Sequence, residues 1–367
     1  MNDNINTASM LRVGAILDGK YRIERYLSSG GFGNTYVAIN EFGEQVAVKE
    51  FFLRGINQRE ANNTTVSVSN TENRAQFDQQ RVKFKKEAMR LRGLLSPHIV
   101  KVQAFFEQNG TSYYVMDYID GESLAERLRR TGQPLTEAEV LDILNQVLEA
   151  LDEVHNSQPP LYHLDLKPGN IMADRHGQVL LIDFGSSKQS DGHGGVTVTA
   201  ATFTREYAPL ELIEGRLDKI GPWTDFYALG ATLYVLLTGY RPPTTSQILN
   251  YGPNAFSFPE SVTRKMRETV VWMMKPSYSQ RPNSVSAIRQ FLYKEPDEQT
   301  RVVHDVGTQE TNFDINDILN SVFGSGYNFG GFQEQERKNV RKNTYNEIAV
   351  IIIIVSAIAC AVGSYLW

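Results

Sequence analysis

The stretch that decides the fold is His163-Leu164-Asp165-Leu166-Lys167-Pro168-Gly169-Asn170, followed 13 residues later by Asp183-Phe184-Gly185. It brings a carboxylate, an ammonium and an amide together on a segment that proline and glycine interrupt. Asp165 can accept a proton from an attacking hydroxyl, Lys167 can neutralise charge on a transferring phosphoryl group, and Asn170 can offer a carbonyl oxygen to a metal. Asp183 adds a carboxylate, a ligand suited to Mg²⁺. The two stretches predict a loop-borne site for transfer chemistry.

The composition limits the class of protein. At about 150 residues per domain, 367 residues suit two domains or one two-lobed unit. With 41% hydrophobic and 22% charged residues, usage is ordinary for a globular chain, which excludes wholesale disorder, collagen and coiled coil. The net charge of −5 gives no bulk attraction to nucleic acid, so no nucleic-acid partner is expected, although a local patch could still bind one. The single cysteine, Cys360, excludes an intrachain disulfide and a cysteine-based zinc site, and it favours a reducing compartment.

The first part of the chain is predicted to be rich in β-structure. Residues 1–20 form a polar lead-in. Runs of β-branched and aromatic residues then predict strands at Tyr21–Leu27, Thr35–Asn40, Gln45–Phe52, Val100–Glu107 and Thr111–Ile119. Apolar residues at helical spacing predict a helix over Phe84–Leu95. The polar residues 54–80 predict a loop or insertion, for which a tolerated loop is a simpler interpretation than a regulatory surface.

Helical patterns dominate the second part. Thr136–His155 is amphipathic and opens with Thr136 and Glu139, at the spacing of a capping box. A hairpin is expected at Ile171–Ile182, and helices from Ala208 to Leu292. The whole predicts an α+β architecture, in which a small β-rich lobe with one main helix joins a larger helical lobe. Residues 295–347 are polar and read as a linker.

Two further signals are weak when taken alone. Gly30-Gly31-Phe32-Gly33 joins the first two strands, where backbone amides can approach phosphate oxygens, although a plain hairpin turn explains it about equally well. It is not a Walker loop, because no Gly-Lys-Ser/Thr follows. Lys49 lies in a strand fit for burial, where it would need a partner such as Glu87 or a ligand anion. A lysine on an exposed strand face is the commoner case.

The order of these signals resembles the protein kinase signature set, over about Tyr21 to Lys294. The resemblance is to the bacterial, Hanks-type serine/threonine branch, and it extends to the later landmarks Tyr207–Glu211, Asp225–Gly230, Leu237–Gly239, Arg241–Pro243 and Gln280–Pro282. It implies a bilobal protein kinase domain at 21–294, with an N-lobe at 21–118 and a C-lobe at 121–294. It also implies that Asp225 holds the catalytic loop and that Arg281 pairs with Glu211 in a buried structural ion pair.

The resemblance further implies a cleft that binds ATP with Mg²⁺ or Mn²⁺. Lys49 would contact the α- and β-phosphates and be held by Glu87. Asp165 would be the catalytic base and Lys167 would support the γ-phosphate. Asn170 and Asp183 would hold the metal. The other expected nucleotide-binding positions are Leu27, Ser28, Ser29, Gly30, Gly31, Phe32, Gly33, Thr35, Ala47, Met116, Asp117 and Ile119.

Some positions depart from the pattern of the family. Ser28 replaces the first glycine of the loop and Thr35 the customary valine, so we expect weaker or less mobile covering of the phosphates. Leu164 stands where many kinases have the arginine that clamps a phosphorylated activation loop. We therefore expect activity without activation-loop phosphorylation, or another kind of switch. Thr204 matches a threonine that packs against the catalytic Asp and Lys, although a solvated hydroxyl fits the local sequence about as well.

The C-terminal segment Ile348–Trp367 carries no charge over 20 residues. A helix of that length spans roughly 30 Å, the thickness of a bilayer core, so a membrane span is expected rather than a buried core helix. Basic residues precede it at Arg337, Lys338, Arg341 and Lys342, and no signal peptide opens the chain. The kinase domain is therefore expected in the cytoplasm, on a single-pass anchor in the cell membrane. A longer native chain with an extracytoplasmic part is the alternative.

Three classes of function remain open. The first is a serine/threonine kinase that acts on protein substrates, with self-association for autophosphorylation. The second is a pseudokinase scaffold, disfavoured because Lys49, Asp165 and the predicted metal ligands are all present. The third is a small-molecule phosphotransferase, disfavoured by the segment that ends at Glu211. In the linker, Phe313–Phe323 has helical apolar spacing, for which a transient helix is the default and a docking helix the alternative.

Overall fold

The computed structural model describes residues 9–30, 33–184, 188–189 and 204–293. Its strands are β1 Ile16–Leu17, β2 Tyr21–Gly30, β3 Gly33–Ile39, β4 Gln45–Phe51, β5 Asn57–Arg59, β6 Val66–Val68, β7 Val102–Gln108, β8 Thr111–Asp117, β9 Gly121–Ser123, β10 Leu161–Tyr162, β11 Ile171–Asp174, β12 Val179–Leu181 and β13 Lys188–Gln189. Its helices are α1 Thr71–Arg92, α2 Leu124–Thr131, α3 Glu137–Asn156, α4 Leu210–Ile213, α5 Pro222–Thr238, α6 Thr245–Tyr251, α7 Arg264–Met273 and α8 Val285–Tyr293.

The first lobe is an antiparallel sheet of six strands in the order β1-β2-β3-β4-β8-β7. Alternation along β4 divides its side chains between two faces. Val46 and Val48 pack in the core on the outer face, whereas Phe51 packs in the core that includes α1. Lys49 therefore lies on the inner face and Glu50 on the outer one. The five predicted strands are confirmed, with ends that differ by at most three residues.

The prediction of a loop over residues 54–80 is wrong. Residues 57–68 contain the antiparallel hairpin β5–β6, and α1 begins at Thr71 rather than near Phe84. Asn70 caps this helix by accepting a hydrogen bond from the Asn73 amide at 2.7 Å. The first turns were hidden in the sequence because Phe77 is the one large buried apolar side chain between 71 and 80. The contact of Phe77 with the sheet is enough to hold the first turns of α1 in place, because tertiary packing stabilises the helix.

The described part of the polar lead-in, residues 9–20, packs against the first lobe. Leu11, Ala15 and Leu17 are buried against the outer face of the sheet. Strand β1 pairs with β2, so these residues belong to the fold of the first lobe. The pattern is short and surrounded by polar residues, which is why periodicity did not reveal it.

The second lobe is built around α5, which is buried along most of its length. At Gly230 an added Cβ would lie 2.9 Å from Met273 Cβ, so α5 and α7 approach closely only because this residue is glycine. The capping box of Thr136 and Glu139 and the hairpin β11–β12 are both confirmed. The structure therefore has the predicted β-rich and helical lobes.

Among the described residues, no helix is long and apolar enough to cross a membrane. The segments Ile348–Trp367, 295–347 and Phe313–Phe323 lie outside the described residues. The membrane span, the linker and the docking helix therefore stay predictions.

Candidate active site

The two ends of the glycine-rich loop, Gly30 and Gly33, belong to strands β2 and β3. Strands β2 and β3 pair up to Gly30 and Gly33, while Gly31 and Phe32 lie outside the described residues. A Cβ at Gly33 would lie 1.7 Å from the Glu50 carbonyl oxygen, so only glycine permits this approach to β4. A Cβ at Gly30 would lie 4.0 Å from Asp183 Oδ2. The structure therefore places Gly30, at the start of the predicted phosphate-covering loop, near the predicted metal ligand Asp183.

Lys49 joins the two lobes of the site. Its Nζ lies 2.7 Å from Asp183 Oδ1 and 3.4 Å from Glu87 Oε1. Tyr114 donates its hydroxyl to the same Glu87 oxygen at 3.0 Å. Lys49 and Glu87 are only 7% and 6% exposed, so the lysine is in the buried setting that requires partners. The predicted pairing of Lys49 with Glu87 is confirmed.

The catalytic loop gathers polar atoms around the Asp165 carboxylate. Lys167 Nζ lies 2.6 Å from Asp165 Oδ2 and 2.7 Å from the Thr204 hydroxyl, and the Thr204 amide donates to Asp165 Oδ1 at 2.8 Å. The Asn170 side-chain amide donates to Asp165 Oδ2 at 3.0 Å and to its carbonyl oxygen at 2.8 Å. Thr204 is therefore part of the site and not a solvated hydroxyl. These contacts fix the direction of the carboxylate toward the cleft.

Asp225 anchors the catalytic loop through hydrogen bonds to its backbone. Its fully buried carboxylate accepts hydrogen bonds from the His163 and Leu164 amides at 2.9 and 2.8 Å. Leu164 has φ of 64°, a left-handed conformation that is strained for a leucine. The two hydrogen bonds to Asp225 offset that strain. They also fix the backbone next to Asp165 and so orient its side chain. The predicted role of Asp225 as the anchor of the loop agrees with this geometry.

The predicted adenine-side positions lie along neighbouring strands. Ala47 on β4 is paired with Met116 on β8, and Asp117 ends β8. Ala47 is 5% exposed, and Met116, Asp117 and Ile119 are half-buried. Leu27, on β2, is 37% exposed at the edge of the cleft. The structure thus places the predicted adenine-side residues Ala47 and Met116 directly beside each other on neighbouring strands.

A sequence profile described as "Protein kinase domain" matches residues 21–293. The chain belongs to the protein kinase family. The matched part is about three-quarters of the chain and contains every site residue described above. The family was predicted from the order of the motifs, and that prediction is confirmed.

Several bacterial kinases are similar to this kinase domain. Serine/threonine-protein kinase F of Synechocystis is 32% identical over 62% of the chain and 46% of its own length. The kinases named PknA of Nostoc and of Mycobacterium tuberculosis are each 34% identical, over 38% and 49% of their own lengths. The chain thus spans less than half the length of these relatives. A solved structure described as the apo form of PpkA-294 has a TM-score of 0.67 at 24% identity, over 77% of this chain and 99% of that one, which shows the same fold.

The second lobe of the kinase domain contains a buried ion pair between Arg281 and Glu211. Arg281 Nη1 and Nη2 lie 2.7 and 3.1 Å from the two Glu211 carboxylate oxygens, and the Arg281 side chain is 0% exposed. Thr224 also donates its hydroxyl to Glu211, at 3.1 Å. The predicted pairing of Arg281 with Glu211 in a buried ion pair is confirmed.

The donor set of the cleft suits a hard divalent cation. The Asn170 amide nitrogen is engaged with Asp165, so the amide oxygen is the atom that can bind a metal. The Asp183 side chain is 40% exposed to the cleft and supplies carboxylate oxygen. Oxygen ligands of this kind fit Mg²⁺ or Mn²⁺. Asn170 and Asp183 are the residues that would hold the ion, which when bound supplies positive charge to the ATP phosphates.

The sequence did not single out two residues that support the site. Tyr114 orients Glu87, and His155 lies with Nε2 2.8 Å from Asp225 Oδ2. Both were counted only as members of a strand or a helix. Their partners lie 27 and 70 residues away, so no local spacing in the chain could have revealed them.

Electrostatics keep Asp183 ionised. Burial raises its pKa, but the charge and hydrogen bond of Lys49 outweigh burial and lower the pKa from 3.8 to about 2. Burial likewise raises the pKa of Glu87, although Lys49 opposes the shift. The carboxylate of Asp183 is therefore ionised near neutral pH, which is the form that a carboxylate needs in order to bind a metal ion.

We expect the stabilising effect of Asp183 to be lost in acid. Because its pKa is lowered in the folded state, its contribution is complete above the unfolded value of 3.8 and disappears as the pH falls toward about 2. The free energy of unfolding of Asp183→Asn should thus fall less than that of the wild type between about pH 5 and pH 3. Urea unfolding at a series of pH values measures this, with Asp218→Asn, whose side chain is 70% exposed, as the control. Parallel curves for wild type and Asp183→Asn would contradict the assignment.

Proposed function

We propose that this chain is an ATP-dependent serine/threonine protein kinase, which transfers the γ-phosphoryl group of ATP to hydroxyls of protein substrates. The observation that carries the proposal is the cluster in which Lys167 contacts both Asp165 and the Thr204 hydroxyl, at 2.6 and 2.7 Å. This cluster places a base and a cation beside one another at the mouth of a nucleotide cleft. The names of the bacterial relatives support the serine/threonine class.

The proposed step is a direct displacement. The hydroxyl oxygen of the substrate forms a bond to the γ-phosphorus while the bond from that phosphorus to the β–γ bridging oxygen breaks. The hydroxyl proton passes to the Asp165 carboxylate, and ADP leaves with the bridging oxygen. Thr204 and Asn170 hold the carboxylate in place for this transfer. Lys167 offsets charge on the phosphoryl group, and Lys49 binds the phosphates that stay with ADP.

A transfer assay with radiolabelled ATP tests the proposal. The purified full-length chain, Mg²⁺ and a mixed protein substrate should yield labelled phosphoserine and phosphothreonine after acid hydrolysis. Label in phosphotyrosine would contradict the predicted specificity. Label only in small molecules would instead favour a small-molecule phosphotransferase. Autophosphorylation whose rate per molecule rises with protein concentration would support the proposed self-association, and a rate independent of concentration would contradict it.

The kinase is further proposed to be anchored in the cell membrane by Ile348–Trp367, with its catalytic domain in the cytoplasm. The support is the length of the uncharged segment and the basic residues before it. In the native host, the full-length chain should stay in membranes after alkaline carbonate extraction, and a variant that ends at Glu347 should be released. Recovery of both forms in the soluble fraction would refute the anchor.

Activity is expected to persist without phosphorylation between the Asp-Phe-Gly stretch and Thr204. Leu164 offers no cation to a phosphate there, and Lys49 and Glu87 already meet in the unphosphorylated chain. The triple variant Thr197→Ala, Thr199→Ala and Thr202→Ala alters residues outside the described part. We expect it to retain at least about half of the wild-type kcat, because Leu164 provides no cation that would order a phosphate at these positions. Near-total loss would show that phosphorylation is required.

A further inference from the structure

A buried ion pair lies directly behind the site lysine, on the other face of β4. Glu50 follows Lys49 in the chain, and its Oε2 lies 2.5 Å from Arg59 Nη2. Both side chains are 0% exposed. A fully buried ion pair is costly to form unless its remaining hydrogen-bonding groups are satisfied.

The remaining groups of the Glu50 side chain are satisfied within the sheet. The hydroxyls of Tyr36 and Tyr113 each donate to its carboxylate at 3.0 Å, from β3 and β8. The side chain of Asn34 adds a third donor at 3.3 Å. Glu50 therefore ties the strand that carries Lys49 to both of its neighbours.

Arg59 extends the network to segments outside the sheet. Its Nε and Nη2 donate to the Ser9 carbonyl oxygen at 3.1 and 3.0 Å, and its Nη1 donates to the Thr64 carbonyl oxygen at 2.9 Å. Ser9 belongs to the lead-in, and Thr64 lies between the two strands of the hairpin. One planar guanidinium thus fastens the lead-in, the hairpin and β4 to one another.

The hairpin in turn determines where α1 begins. Strand β6 ends at Val68, and Asn70 is already the cap of the helix. Asn73, in the first turn, donates to the Ile56 carbonyl oxygen at 3.5 Å. Further along the helix, Phe77 and Phe84 pack on Phe51 of β4 with ring centroids 5.0 and 5.4 Å apart. Glu87 lies one turn beyond Phe84, so the position of its carboxylate depends on how α1 is held against β4.

We infer that Arg59 is a positioning residue for phosphoryl transfer, because it locks the hairpin and the lead-in onto β4 and so holds α1 where Glu87 reaches Lys49. The inference rests on the proposed function and adds a structural support for it. It explains how a chain with leucine at 164 keeps the Lys49–Glu87 pair closed by contacts within the first lobe.

The test is Arg59→Lys in the full-length chain. A lysine keeps a positive charge beside Glu50, so the melting temperature should stay within a few degrees of the wild type. It cannot reproduce the planar fork that bonds Ser9, Thr64 and Glu50 together. The dissociation constant for mant-ADP with Mg²⁺ should rise roughly tenfold and kcat should fall by a similar factor, since small misplacements of site groups are costly. Arg74→Lys, on the exposed face of α1, is the matched control and should behave as wild type.

A second variant tests the inference if the Arg59→Lys protein does not fold. The pair Glu50→Gln with Arg59→Met removes both buried charges, a replacement that is often neutral for stability. The inference again expects weaker mant-ADP binding. Wild-type affinity and kcat, within about twofold, in either folded variant would overturn it. Because mant-ADP binding needs no phosphotransfer, a wild type that binds nucleotide but labels no protein would refute the proposed function and still leave the role of Arg59 measurable.

Discussion

Asp165→Asn is expected to lower kcat for protein phosphorylation by about 10²- to 10⁴-fold, the usual contribution of a positioned general base. An asparagine can still accept the hydrogen bond that the Thr204 amide donates at 2.8 Å, so the loop should keep its shape. It cannot take the proton of the attacking hydroxyl. The measurement is the initial rate of transfer from radiolabelled ATP to a protein substrate.

Nucleotide binding provides the control for this variant. The side-chain hydrogen bonds of Asp165 join it to Lys167, Asn170 and Thr204, whereas Lys49, the residue expected to bind the phosphates, contacts Glu87 and Asp183. The dissociation constant for mant-ADP should therefore stay close to that of the wild type, and Asp218→Asn should leave both quantities unchanged. Equal rates for wild type and Asp165→Asn would contradict the assigned base. No transfer by either protein would favour the pseudokinase interpretation.

Arg281→Met is expected to lower the free energy of unfolding by about 3–5 kcal/mol, because it leaves the Glu211 carboxylate buried without a countercharge. The Glu211 side chain is 3% exposed and cannot reach water. The change also removes the hydrogen bonds that Arg281 donates to the Lys275 and Pro276 carbonyl oxygens at 2.7 and 2.8 Å. Urea unfolding, followed by tryptophan fluorescence, measures the loss.

An exposed ion pair gives the matched comparison. Arg241 is 89% exposed and lies 3.7 Å from Glu206, so Arg241→Met should change stability by no more than about 0.5 kcal/mol. Adding Glu211→Gln to Arg281→Met should recover part of the loss, because it removes the stranded charge. A loss no larger than that of Arg241→Met would show that the buried pair does not hold the second lobe together.

Much of the candidate site was predictable because its members lie in short motifs. Asp165, Lys167 and Asn170 are within six residues of one another, and such a spacing can be recognised without knowing the fold. Lys49, Glu87 and Asp183 were predictable only through the resemblance to kinases, since 134 residues separate the ends of that set. The predicted helix Phe84–Leu95 overlaps α1, but its start and the loop predicted before it were wrong, because polar residues on the outer side of α1 conceal its first turns.

The chain alone determined the order of the motifs, the two lobes and the chemistry of the cleft, since these follow from local spacing and from side-chain type. The tertiary structure alone revealed the ion pair between Glu50 and Arg59, whose partners no sequence motif connects. Glu50 and Arg59 are unremarkable polar residues in the sequence, yet both are fully buried and paired in the fold. Tyr114 and His155 likewise gain their roles only from partners that the fold brings near. Burial makes such pairs matter, because a charge removed from water must find its partner inside the protein.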